Sequence, residues 1–245
     1  MNDARFIDYH VFVVDEVEFF CRVFPEDDLG PRLHVMKHRW MVERLIDLVA
    51  QSRAKNILEV GIFRGGSTAL LASLARPTRL VAVELSTTPV DALERHLDTV
   101  GLSDAVSLHY GVDQADTAVM TTILDDAFGQ VPLDLVIDDA SHLYAPSRTT
   151  FEIVFPRLRP GGIYLIEDWN ADHRVCDLMS AIFDGEGADA DEVRFQLDQA
   201  SEAGERPVPL TRLGVELLLA RASSGDVIRS VSFDESWITI ERGND

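Results

Sequence analysis

Cysteine is nearly absent from this 245-residue chain: Cys21 and Cys176 are the only two, far apart and in no C-x-x-C or zinc-ligand spacing. That removes a disulfide framework, gives no support to a cysteine zinc site, and fits a reduced, cytoplasmic setting. Long hydrophobic runs are missing as well. No stretch approaches the ~20 apolar residues that cross a bilayer, and the run from Val11 to Val14 is too brief for a signal-peptide core. Basic residues are few, 22 against 42 acidic ones, for a net charge of −20. A field of that sign repels phosphate backbones and anionic membrane surfaces, so neither nucleic acid nor membrane is an expected partner. Only Lys37 and Lys55 among the basic residues are lysines, a bias that carries no chemistry by itself. Internal repeats and low-complexity tracts are lacking too.

What is present is a globular composition, 46% hydrophobic and 26% charged, in a length suited to one large α/β domain. Met41, Leu45, Leu48 and Val49 fall on one face of a helix expected over about residues 33–52. From residue 56 onward, short apolar runs alternate with helical patterns. Strands are expected at 56–60, 80–84, 106–110, 133–138 and 162–167, the last after the turn Arg159-Pro-Gly-Gly162. Intervening helices are expected to 76, over 89–100, over 115–128 and over 147–158, with proline or glycine marking their ends. Such apolar strands, separated by helices, imply a parallel sheet covered on both faces.

Residues 170–208 break this rhythm with glycines and acids, hold one plausible helix near 175–183, and read as an insertion over the site. A helix over 210–222 and two strands, 227–233 and 237–241, follow; their short connection forces them antiparallel. The expected fold class is therefore α/β. It is a doubly wound, mostly parallel seven-stranded sheet with helices on both faces and a C-terminal antiparallel hairpin, spanning residues 33–245. Residues 1–32 form an N-terminal extension or cap ending in a loop over 24–31. Its aromatic residues offer a surface for a second copy, so a homodimer is one expected assembly.

Two strand ends carry the chemistry. The run Leu133-Asp-Leu-Val-Ile-Asp-Asp-Ala-Ser-His142 ends in Asp138 and Asp139, with His142 three residues on; the run Gly162-Ile-Tyr-Leu-Ile-Glu-Asp168 ends in Glu167 and Asp168. In a chain this acidic, neighbouring acids arise by chance, so the doublets as such carry no weight. Their placement does, because adjacent strands lie ~4.8 Å apart and ligands bind beyond strand carboxyl ends in doubly wound sheets. Asp139, Glu167 and Asp168 are the expected ligands of a hard divalent cation such as Mg²⁺, which accepts oxygen donors and keeps open positions. Asp138 points away from Asp139 if the pleat continues. A helical turn after Asp139 would bring His142 to the same side, where an imidazole can take a proton from a hydroxyl.

The turn after the first strand of the alternation is Glu59-Val-Gly-Ile-Phe-Arg-Gly-Gly-Ser-Thr68. Its G-x-x-x-G-G spacing is neither the dinucleotide G-x-G-x-x-G nor a phosphate-binding loop followed by Lys-Ser or Lys-Thr. Glu84 ends the next strand, where a carboxylate can accept from both ribose hydroxyls, and Asp113 follows the third strand, suited to an adenine amino group. A nucleoside without phosphates, flanked by acids, fits S-adenosylmethionine with its cationic sulfonium and ammonium.

The glycine turn, Glu84 and Leu158-Arg-Pro-Gly-Gly162 together resemble the class I S-adenosylmethionine-dependent methyltransferases over roughly residues 40–170 and the terminal hairpin. Asp138-Asp-Ala-Ser-His142 with Glu167-Asp168-Trp169 resembles the metal-dependent sugar O-methyltransferases of the macrocin and mycinamicin type, and the cephalosporin-hydroxylase-like group beside them. The resemblance implies cofactor contacts from Glu59, Gly61, Ile62, Phe63, Ser67, Glu84, Asp113 and Asp138. It also implies a metal on Asp139, Glu167 and Asp168, with Asp139 and His142 at the reacting hydroxyl. The expected acceptor is a small molecule or oligosaccharide bearing a sugar hydroxyl, or else a small phenol or other natural-product hydroxyl. A metal-dependent oxygenase is disfavoured because its usual ligand set has two histidines and one carboxylate. A binding protein without catalysis has no feature that selects it.

Overall fold

The computed structural model describes residues 4–23, 32–171 and 208–245. The expected loop over 24–31 and almost all of the insertion, including its helix near 175–183, lie outside the described residues.

Two sheets organise the chain. The smaller one has β1 (Arg5–Phe6), β2 (Val11–Val14), β3 (Val17–Cys21) and β4 (Leu33–Val35) in that order. Its first three strands are antiparallel and β4 joins β3 in parallel. This corrects the expected helix start. Leu33 to Val35 are drawn into the sheet by pairing with Phe19 to Cys21, so α1 runs only over Arg39–Ser52. The expected boundary at residue 32 consequently falls between two strands of one sheet. Phe12, Val14, Phe19 and Cys21 are fully buried in the same apolar cluster as α1.

The larger sheet contains β5 (Asn56–Val60), β6 (Arg79–Glu84), β7 (Val106–Tyr110), β8 (Leu133–Asp138), β9 (Leu158–Glu167), β10 (Ile228–Phe233) and β11 (Trp237–Arg242), in the order β10-β11-β9-β8-β5-β6-β7. β5 through β9 pair in parallel, whereas β11 runs antiparallel to both β9 and β10. The strand order reverses at β5, which has β6 on one side and β8 on the other, so a crevice opens above its carboxyl end.

Because successive side chains alternate between faces, the central strands feed two cores. Ile57, Leu80, Ala82, Leu135, Ile137 and Leu165 pack with α1, α2 (Gly66–Ala75) and α3 (Asp91–Thr99) on the face shared with the small sheet. Leu58, Val60, Val81, Val83, Val136 and Ile166 pack with α4 (Thr117–Phe128), α5 (Tyr144–Val154) and α6 (Thr211–Ser223) on the other. This two-sided burial is why the strands read as continuous apolar runs.

α5 begins and ends three to four residues earlier than its pattern suggests, and β9 already starts at Leu158. Arg159-Pro-Gly-Gly162 lies inside the strand instead of preceding it. The pairing of β8 with β9 shifts register between Leu133 and Leu135, and such a bulge accommodates a proline without a donor and glycines without side chains.

Candidate active site

The turn after β5 is held by its own backbone. Gly61 donates its N–H to Val83 O at 2.9 Å and Gly65 donates to Ile62 O at 2.8 Å. Gly61 has φ +101°, and a Cβ there would lie 2.3 Å from the Asp139 carbonyl oxygen, so only glycine allows the turn to touch the end of β8. Glu84, at the end of β6, closes the turn from below. One oxygen accepts from Ile62 N at 2.9 Å and Phe63 N at 2.8 Å, and the other accepts from Ser86 N at 2.8 Å. Glu84 thereby fixes the loop conformation and keeps spare lone pairs. A cavity of about 500 Å³ opens beside it, lined in part by Phe63, Glu84, Ser86 and Thr88.

Glu59 is 1% exposed, and burial pushes its carboxyl up to about 7. Its Oε2 has no hydrogen-bond partner among the described residues. A buried carboxyl with the Thr68 and Ser67 hydroxyls of α2 beside it and one oxygen outside hydrogen-bond geometry suits a cationic group arriving with a ligand. Asp113 is exposed and its Oδ1 accepts from Ala115 N at 2.8 Å, capping its own turn.

At the end of β8 the two aspartates do diverge. Asp138 is 2% exposed on the α4–α5 side, where Gln114 Nε2 donates to it from 3.4 Å and the Tyr164 hydroxyl from 3.3 Å; burial pushes its carboxyl up to about 7. Its partners are thus protein groups of the second core. Asp139 turns to the opposite side and is partly exposed. Its Oδ1 lies 3.9 Å from His142 Nε2. No helical turn separates them: α5 starts only at Tyr144, and His142 reaches this position through a left-handed backbone with φ +52°. Asp168, just past β9, is also left-handed at φ +51°. Non-glycine residues in that region cost energy, and such outliers concentrate where side chains must be aimed. Asp139, His142 and Asp168 each offer a ligand atom, and these atoms all lie within 4.8 Å of one another.

Glu167 stands apart from that trio. It is 1% exposed, its Oε2 accepts from Lys37 Nζ at 2.6 Å, and its Oε1 is buried without a partner among the described residues. Burial and repulsion from Asp139 push its carboxyl up, and the Lys37 ammonium opposes them. Lys37 also donates to Asp139 Oδ2 at 2.7 Å. It lies between β4 and α1, is 4% exposed, and is held protonated by the two carboxylates. Sequence reasoning missed this residue. The signal was its rarity: in a chain that uses arginine elsewhere, the other lysine, Lys55, likewise has an internal task, donating to Ala75 O and Arg76 O at the end of α2.

A parallel sheet reversing at β5 and closing with an antiparallel β11 between β9 and β10 is the class I S-adenosylmethionine-dependent methyltransferase fold. Residues 58–169 match a family described as methyltransferase domain. Among curated proteins, it is similar to 8-demethyl-8-alpha-L-rhamnosyl tetracenomycin-C 2'-O-methyltransferase of Streptomyces olivaceus, 52% identical over 56 residues, which are 23% of this chain and 14% of that one. Demethylmacrocin O-methyltransferase of Streptomyces fradiae is 40% identical over 79 residues, 32% of this chain and 17% of that one. A methyltransferase of the mycinamycin biosynthetic pathway, solved with Mg, SAH and mycinamycin VI, superposes with a TM-score of 0.53 at 22% identity. That match covers 84% of this chain and 50% of the other, so the chain spans about half the length of that protein.

Proposed function

We propose that the protein is an O-methyltransferase that moves the methyl group of S-adenosylmethionine to a sugar hydroxyl of a glycosylated small molecule, with a divalent cation such as Mg²⁺ at the acceptor. The observation that carries this reading is the contact of Gly61 with Asp139, which sets the glycine turn directly against the Asp139–His142–Asp168 trio. One relative that shares a short segment with the chain is named as the O-methyltransferase of a rhamnosyl tetracenomycin, which favours a glycoside over a simple phenol.

The turn from Gly61 to Ser67 and Glu84 bind the nucleoside end of the cofactor, and Glu59 neutralises its ammonium. Asp113 reads the adenine edge. Asp138 supports the floor of the site through Gln114 and Tyr164. Asp139 and Asp168 would hold the cation, with Glu167 behind them. When bound, the cation lowers the cost of negative charge on the acceptor oxygen. His142 orients the acceptor hydroxyl and accepts its proton at Nε2 as the oxygen attacks the sulfonium methyl in line with the departing sulfur. The bond from carbon to sulfur breaks as the bond from oxygen to carbon forms, which leaves S-adenosylhomocysteine and a methyl ether.

A methyl-transfer assay over a panel of glycosides and phenols, with and without Mg²⁺, tests this. Methylation of glycosides that collapses in chelator is expected. Transfer to no hydroxyl acceptor in either medium would overturn the proposal.

A further inference from the structure

Among the described residues Lys37 is the buried cation that reaches the acidic end of the site, and its two contacts fall on the same carboxylates expected to meet the metal. Its Nζ donates to Asp139 Oδ2 at 2.7 Å and Glu167 Oε2 at 2.6 Å, while the lysine is 4% exposed. Two carboxylates this close, one of them fully buried, repel each other unless a cation lies between them. Asp139 divides its oxygens accordingly: Oδ2 faces the ammonium, and Oδ1 faces His142.

We propose that Lys37 is a resident cation that competes with the divalent metal for Asp139 and Glu167, so that the site stays folded when empty and binds its metal weakly and reversibly. This rests on the metal reading of the same residues given above. Two properties make a lysine suited to the task. The ammonium is a compact point charge on a flexible stem, so it can withdraw from the carboxylates without moving the backbone. It also keeps Glu167 Oε2 on the ammonium, leaving Asp139 Oδ1 and Asp168 as the groups presented to an incoming ion, with His142 beside them. Full engagement of Glu167 requires the ammonium to leave it. The lysine therefore sets how many protein oxygens a metal obtains and lowers its affinity by charge repulsion.

Titration calorimetry of the metal-free, full-length protein with Mn²⁺, wild type against Lys37→Met, decides the matter. Loss of a positive charge a few ångströms from a dication should tighten Mn²⁺ binding by at least about tenfold, given an effective dielectric near ~20. S-adenosylmethionine affinity should change little. A purely structural lysine would lower thermal stability and leave Mn²⁺ affinity unchanged, and a lysine that positions Asp139 for the metal would weaken it; either result overturns the proposal. If Lys37→Met folds only when Mn²⁺ is present, the cation is replacing the ammonium, which supports it. If Lys37→Met does not fold in either medium, Glu167→Gln is compared with Lys37→Met/Glu167→Gln, a pair in which no buried carboxylate is stranded. Tighter Mn²⁺ binding in the double variant supports competition, and equal binding overturns it. Absence of Mn²⁺ binding in wild type and all variants would instead remove the metal reading, and this inference with it.

Discussion

Gly61 and Asp139 meet backbone to backbone: a methyl group on the first would lie 2.3 Å from the carbonyl oxygen of the second. The glycine turn after β5 and the carboxyl end of β8 are thus built as one unit. Gly61→Ala must both adopt φ +101° and push β8 away from β5. The cost is expected to be about 3 kcal/mol or more, from backbone strain and overpacking together. Thermal melts should show a large fall in Tm, and S-adenosylmethionine binding by the folded fraction should weaken. An alanine variant that melts with wild type would contradict the described contact.

His142 is in the left-handed region, where asparagine is tolerated better than most residues. His142→Asn should therefore retain the fold and remove only the proton acceptor. Turnover is expected to fall about 10²- to 10⁴-fold, the range for loss of a general base, with cofactor affinity within about twofold of wild type. Methyl transfer at an undiminished rate would show that the proton leaves by another route.

Removal of divalent ions by chelator should abolish transfer while S-adenosylmethionine still binds, and readdition of Mg²⁺ should restore it. Asp168→Asn, which removes charge from the trio but keeps its volume, should raise the Mg²⁺ concentration needed for half-maximal activity by about tenfold or more. An unchanged requirement would exclude Asp168 as a ligand.

Glu59 gives the pH dependence. Burial raises its carboxyl from 4.5 to about 7, so the folded chain binds this proton more tightly than the unfolded chain does. The ligand-free protein should therefore lose stability as pH rises between about 4.5 and 7, because the unfolded state releases the proton first. Asp138, raised to about 7, acts with the same sign. Melting curves across that window should fall for wild type and fall less steeply for Glu59→Gln. A cationic cofactor favours the ionised form, so S-adenosylmethionine affinity should rise over the same interval in wild type and not in the glutamine variant. Parallel pH profiles for the two proteins would rule out this role for Glu59.

By itself the sequence determined the architecture, because strand and helix identities are written in apolar periodicity and in the glycines and prolines at their ends. The alternation of β5 to β9 with helices, the antiparallel closing hairpin, and the divergence of Asp138 from Asp139 all follow from periods of 3.6 and 2. Tertiary structure decided what periodicity does not encode. Leu33 to Val35 became a strand only because β3 offered free backbone groups, and Arg159 to Gly162 entered β9 through a bulge. His142 reached Asp139 by a left-handed residue where a helical turn was expected. Above all, Lys37 lies 102 residues before Asp139 and 130 before Glu167, and only the folding of β4 and α1 over the strand ends brings its charge between them. A charge pair separated so far along the chain leaves no local pattern, so its chemistry becomes visible only once the chain is packed.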